Sequence, residues 1–101
     1  MLTIENFKKI KNQWFGDWQI GKVMEDTEFY AIQCVHRTNK RSITLAILRE
    51  GRLDDEFFER VYPISLVEDG THNVIEDIVY KASLEDMELF GESLKIYLDT
   101  I

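Results

Sequence analysis

The chain has 101 residues, enough for one domain spanning 1–101, and its 45% hydrophobic content with 12 aromatic residues supports a packed core without disulfides. Its single cysteine, Cys34, excludes an intrachain disulfide and a multi-cysteine zinc site. The net charge of −7 argues against nucleic acid as a partner, because phosphate binding requires a basic stripe.

That charge is uneven. Residues 1–52 hold nine Lys/Arg and six Asp/Glu, a balance of +3; residues 53–101 hold three and thirteen, a balance of −10. Lys8, Lys9 and Lys11 interrupt any apolar run at the start, so the segment does not read as a secretory leader. No window approaches the ~20 apolar residues of a membrane-spanning helix. A soluble cytoplasmic protein is the expectation.

In chain order, residues 3–15 read as a helix capped by Thr3, with Ile4, Phe7, Ile10 and Trp14 as its apolar stripe and Gly16 as its stop. Trp14, Phe15 and Trp18 cluster around Gly16, as core or as a ligand platform. Trp18 to Met24 reads as a strand with Trp18, Ile20 and Met24 on one face. Glu25-Asp26-Thr27 turns into a hairpin that dominates the chain, between Glu28 and Glu50. A two-residue turn at Asn39-Lys40 would set His36 opposite Ile43, Cys34 opposite Leu45 and Ile32 opposite Ile47, all facing the core. The reverse face, with Phe29, Ala31, Gln33, Val35, Thr44, Ala46 and Leu48, is then either partly covered by a helix or open to a partner.

Gly51 and Arg52 break the hairpin. Asp54 or Asp55 is expected to cap a short helix with Phe57, Phe58 and Val61 on one face, stopped by Pro63. Ile64 to Val67 is a short apolar strand, followed by the polar turn from Glu68 to Asn73. Val74 to Ala82 fits strand or helix; the turn before it and the cap after it favour strand. Ser83-Leu84-Glu85-Asp86 has the form of a capping box for a last helix. Leu84, Met87, Phe90, Leu94, Tyr97 and Ile101 form its stripe, and Gly91 marks a close approach to the sheet. The expected fold is α+β: an antiparallel sheet of about five strands with N-terminal and C-terminal helices packed on it.

Catalytic and cofactor signatures are missing from the sequence, including the phosphate-binding glycine loops, G-x-S-x-G, H-E-x-x-H and C-x-x-C. Cys34 and His36 have the chemistry of a nucleophile–base pair, but they share a strand face that is expected to point inward. Glu68, Asp69 and His72 have metal-ligating side chains in one turn, at a spacing that reads as a solvated turn. The expectation is therefore a protein that is not an enzyme and needs no metal or cofactor.

The C-terminal passage KASLEDMELFGESLKIYL, about twenty residues in which a strand runs into an acidic, capped helix with an inward aromatic, resembles the ending of small bacterial toxin-immunity proteins. That resemblance implies an inhibitor that neutralises a basic toxin, for instance a nuclease, through an acidic surface. The acids of the expected short helix, Asp54, Asp55, Glu56 and Glu59, together with Phe57 and Phe58, are the best-clustered contact residues. Two readings stand beside it: a phage or plasmid adaptor domain that self-associates through a sheet edge, and a small-molecule sensor built on the aromatic cluster.

Overall fold

A computed structural model describes residues 3–54, 59–80 and 86–101; the side chains of Asp54 and Glu59 are not among what it describes. The elements run α1 (Ile4–Lys8), β1 (Trp14–Phe15), β2 (Trp18–Glu25), β3 (Phe29–His36), β4 (Ser42–Leu48), β5 (Arg52–Asp54), β6 (Glu59–Glu68), β7 (Val74–Tyr80) and α2 (Met87–Asp99). All strand pairings are antiparallel and join chain neighbours or near neighbours, giving the order β1-β2-β3-β4-β6-β5 with β7 also on β6. The α+β class holds, with seven strands among the described residues where about five were expected. The additions are the two-residue β1 and the three-residue β5.

The long strand β6 organises one end of the sheet. Its residues 64–68 pair with β4, 59–61 pair with β5, and 62–67 pair with β7 along the opposite edge. Thus β4 and β5 act as two lengths of one rail, broken at Gly51, whose φ of +66° suits glycine. A β-carbon there would also press on the carbonyl oxygen of Val61, 2.7 Å away.

This arrangement corrects the expected short helix where it is described, since Val61, expected on the helix face, is in a strand. Arg60 and Val61 lie in β6, and Asp54 is the partner of Glu59 across the β5–β6 pair. Phe57, Phe58, Asp55 and Glu56 lie outside the described residues. Pro63 ends nothing. It sits between the last β5 pairing, at Val61, and the first β4 pairing, at Ile64, where that side of the strand requires no amide donor.

The central hairpin forms with the expected faces and a different register. Cys34 pairs with Ile43, Ile32 with Leu45 and Tyr30 with Ile47, two residues removed from the expected pairs. A two-residue turn of type I′ needs positive φ at both central positions, and one of type II′ needs it at the first. Here, among the two, only Lys40 has it, at 62°. The loop instead spans Arg37–Lys40, closed by the His36 amide donating to the Arg41 carbonyl at 2.8 Å. Asn39 Oδ1 accepts from the Arg41 amide at 2.8 Å and steadies the wider loop. A slip of two preserves every side chain's face. Ile32, Cys34, Ile43, Leu45 and Ile47 are all wholly buried.

Two further expectations change for local reasons. The first helix stops at Lys8, because the Asn12 amide bonds to the Ile20 carbonyl (2.8 Å) and the Ile20 amide to the Gln13 carbonyl (3.0 Å). Those bonds tie the chain to β2 instead of extending the helix. Phe7 and Ile10 are buried as expected, whereas Trp14 enters β1 and is 46% exposed. In β2 the register shifts between Ile20 and Val23, so Trp18 and Ile20 face the core, Val23 packs against it, and Met24 turns out to solvent.

Both helices pack on the same face of the sheet. Phe7 of α1 lies against Tyr30 (ring centroids 5.2 Å) and Phe90 of α2 (5.7 Å), and Phe90 meets Tyr80 edge-on (5.6 Å). Tyr62, Ile64 and Leu66 of β6 complete this core. Asp86 itself caps α2, its carboxylate accepting from the Leu89 amide at 3.2 Å. The expected cap was Ser83; it and Leu84 lie outside the described residues. The buried stripe is Met87, Phe90, Leu94 and Leu98, with Leu98 in the place expected for Tyr97. The segment expected to be strand or helix from Val74 is strand, through Tyr80.

Candidate partner-binding surface

The expected contact residues fall in the connection between β5 and β6. Asp54 ends one strand and Glu59 begins the next, and the two pair across the antiparallel strands. Two exposed arginines, Arg52 and Arg60, flank the four acids. Arg60 is engaged at the base of the pair, where its Nη1 donates to the Glu50 carbonyl at 2.6 Å.

The reverse face of the central hairpin is left without a helix among the described residues, since α1 and α2 both sit on the opposite face. Phe29, Ala31, Gln33, Val35, Thr44, Ala46 and Leu48 are half-buried there. Part of that face is closed by a polar clamp. Asp69, in the turn after β6, accepts from the Ser42 hydroxyl and from Thr44 Oγ1 (2.6 Å), while Gln33 Nε2 donates to Ser42 Oγ at 3.1 Å. Beside the clamp lies a shallow cavity of about 250 Å³ bordered by Lys22 and Met24.

The clamp also decides the fate of the turn cluster. Asp69 is spent on strand hydroxyls, and Glu68 receives Arg41 Nε on both oxygens (3.0 and 3.1 Å). Arg41 Nη1 donates to the Ile101 carbonyl at 2.7 Å, tying the end of the chain to the sheet. Among the described residues no group of three or more His, Cys, Asp and Glu is placed to hold a metal ion.

Cys34 and His36 do not cooperate chemically. Burial, and secondarily the Asp69 carboxylate, push the Cys34 thiol up to about 12, so it remains protonated and a poor nucleophile. The His36 ring stands edge-on to Trp18 (4.9 Å), and its Nδ1 lies 3.3 Å from the Thr38 amide, an acceptor for the hairpin loop. The aromatic cluster around Gly16 divides: Phe15 and Trp18 are core, and Trp14 lies on the surface.

One surface was not foreseen. A groove of about 470 Å³ runs between β1 and the start of α2, lined by Gln13, Trp14, Phe15, Asp86, Glu88, Leu89 and Glu92. Its apolar part includes Trp14 and Leu89, the latter 49% exposed. The Arg37 guanidinium already lies over the Trp14 ring, 4.3 Å from its centroid. Sequence reasoning placed Trp14 on a helix stripe; the polar run Lys11-Asn12-Gln13 before it was the available sign that the helix ended earlier.

Among the described residues no helix is long and apolar enough to cross a membrane. No protein-family model matches the chain, and comparison with curated proteins and with solved structures finds no match.

Proposed function

We propose that this chain is a non-catalytic, protein-binding inhibitor of the toxin-immunity type, acting in the cytoplasm on a basic protein such as a nuclease toxin. The observation that carries this reading is the charge partition: −10 after residue 52 beside +3 before it. Acidic complementarity would select the partner and speed its approach, and buried aromatic anchors would supply most of the affinity. Asp54, Asp55, Glu56 and Glu59 are the proposed charged contacts, with Phe57 and Phe58 as the anchors. Their place between β5 and β6, at a strand connection, supports the reading, because such connections carry recognition while the sheet holds them. The muted Cys34 thiol supports a binding role over a catalytic one.

The test is affinity capture from the native cell with the wild-type chain beside a variant carrying Asp54→Asn, Asp55→Asn, Glu56→Gln and Glu59→Gln. A basic protein recovered by the wild type and lost by the variant is the expected result. Recovery of the same proteins by both, or of no basic protein, refutes the reading.

One observation favours self-association instead. The outer edge of β7 is unpaired among the described residues, and Val74 and Val79 are exposed along that strand. Glu76 and Asp77 on the same strand oppose pairing of like edges. A concentration-dependent dimer in sedimentation, abolished by Val79→Lys, would support that second reading.

A further inference from the structure

We infer that the groove between β1 and α2 is a docking site for an arginine-bearing segment of a basic partner protein. The inference rests on the proposed partner class and adds a surface that the acid-rich strand connection does not include.

Three features make the groove suited to that occupant. The first is that it is preformed. Gly91 lets α2 approach β1 so closely that the Phe15 ring fills the space a side chain would take, which fixes both walls. Its volume lies within the ~300–1,000 Å³ typical of recognition clefts. The second is its mixed lining, with Trp14 and Leu89 offering apolar surface and an aromatic edge. The third is its charge. Asp86, Glu88 and Glu92 are exposed along it, and among the described residues its lining contains no lysine or arginine.

Guanidinium matches this combination better than other side chains. It is planar, stacks on indole, and donates to carboxylates in a fork. Trp14 already receives one such group from Arg37 within the chain. Among the described residues, Arg37 is occupied on that ring and the Lys95 side chain lies over Gly16. The carboxylates of Glu88 and Glu92 are one helical turn apart on α2 and so flank a single incoming side chain.

The experiment is a titration of the full-length ¹⁵N-labelled protein at low salt with the peptide acetyl-Gly-Arg-Leu-Arg-Gly-amide. A control peptide carries citrulline for both arginines. The expected result is saturable shifts of the Trp14 indole N–H and of the amides of Gln13–Phe15 and Asp86–Glu92, and none with citrulline. Glu88→Gln with Glu92→Gln, both exposed and harmless to folding, should weaken binding at least about fivefold. Shifts that are absent, centred elsewhere, or unchanged in the double variant overturn the inference. If the peptide fails here while the acid-neutralised strand connection still loses its basic partner, the groove falls and the inhibitor reading stands. If the peptide binds here and no basic partner is recovered from cells, the reverse holds.

Discussion

Gly91 of α2 lies against the ring of Phe15 in β1, so closely that a β-carbon at 91 would overlap the ring atoms. Glycine in a helix interior costs about 1 kcal/mol relative to alanine. Here that cost is offset by the closeness it permits. Gly91→Ala should therefore destabilise the fold by about 1–2 kcal/mol despite the better helix propensity, because overpacking a core costs ~1–3 kcal/mol. Urea unfolding checks this. A variant as stable as wild type would mean that Phe15 can move aside, and Phe15→Leu should partly rescue Gly91→Ala.

Phe90 is 1% exposed and bridges the two helices and the sheet through Phe7 and Tyr80. Phe90→Ala should cost ~3–5 kcal/mol. For a domain of this size the melting temperature should fall by more than about ten degrees. A melting point within a degree or two of wild type would contradict this packing.

Cys34 should resist thiol reagents in the native state and react once urea unfolds the chain. Its thiol titrates at about 12 when folded, against 9.0 for an unperturbed thiol. Between those values the unfolded chain has lost the proton that the native chain keeps, so the unfolded state binds fewer protons. Stability from this group is then present below pH 9 and is lost as pH rises toward 12. The slope is at most about 1.4 kcal/mol per pH unit. Melting curves from pH 8 upward should fall more steeply for wild type than for Cys34→Ala; parallel curves would rule out the burial effect.

The Asp69 clamp predicts two linked outcomes. Asp69→Ala should destabilise the protein by ~1–3 kcal/mol, because Ser42 and Thr44 lose their acceptor. Calcium, zinc or magnesium should leave the wild-type melting temperature nearly unchanged, since Asp69 and Glu68 are already engaged. A rise of several degrees that disappears in Asp69→Ala or His72→Ala would identify a metal site instead.

Reversing Asp55 and Glu59 to lysine should slow association with the identified basic partner by roughly tenfold at low salt and flatten its salt dependence. Folding stability should shift little if the two acids act on the partner and not on the fold. Stopped-flow binding at two salt concentrations decides the matter, and equal rates and slopes for variant and wild type would remove the acidic connection from the interface.

The sequence by itself determined the α+β class, the central hairpin, the inward face of Ile32, Cys34, Ile43, Leu45 and Ile47, and the helix that ends the chain. Period-two and period-3.6 patterning survive any local rearrangement that keeps parity, and the two-residue slip of the hairpin register kept it. Gly91 was legible too, as a glycine out of place in a strong helix. What only the tertiary structure decided are the points where distant segments compete for one backbone. Helix α1 ends early because β2 takes the amide of Asn12 and the carbonyl of Gln13. Met24 faces solvent because a bulge inserts one extra residue, which reverses the alternation and which no pattern announces. Residues 59–61 extend β6 because β5 offers them a partner across a connection read locally as a helix cap. The groove at Trp14 exists because β1 and α2, far apart in the chain, meet at Gly91. Local propensity weighs one segment at a time; hydrogen bonding and close packing are settled between segments, and only the folded chain brings them together.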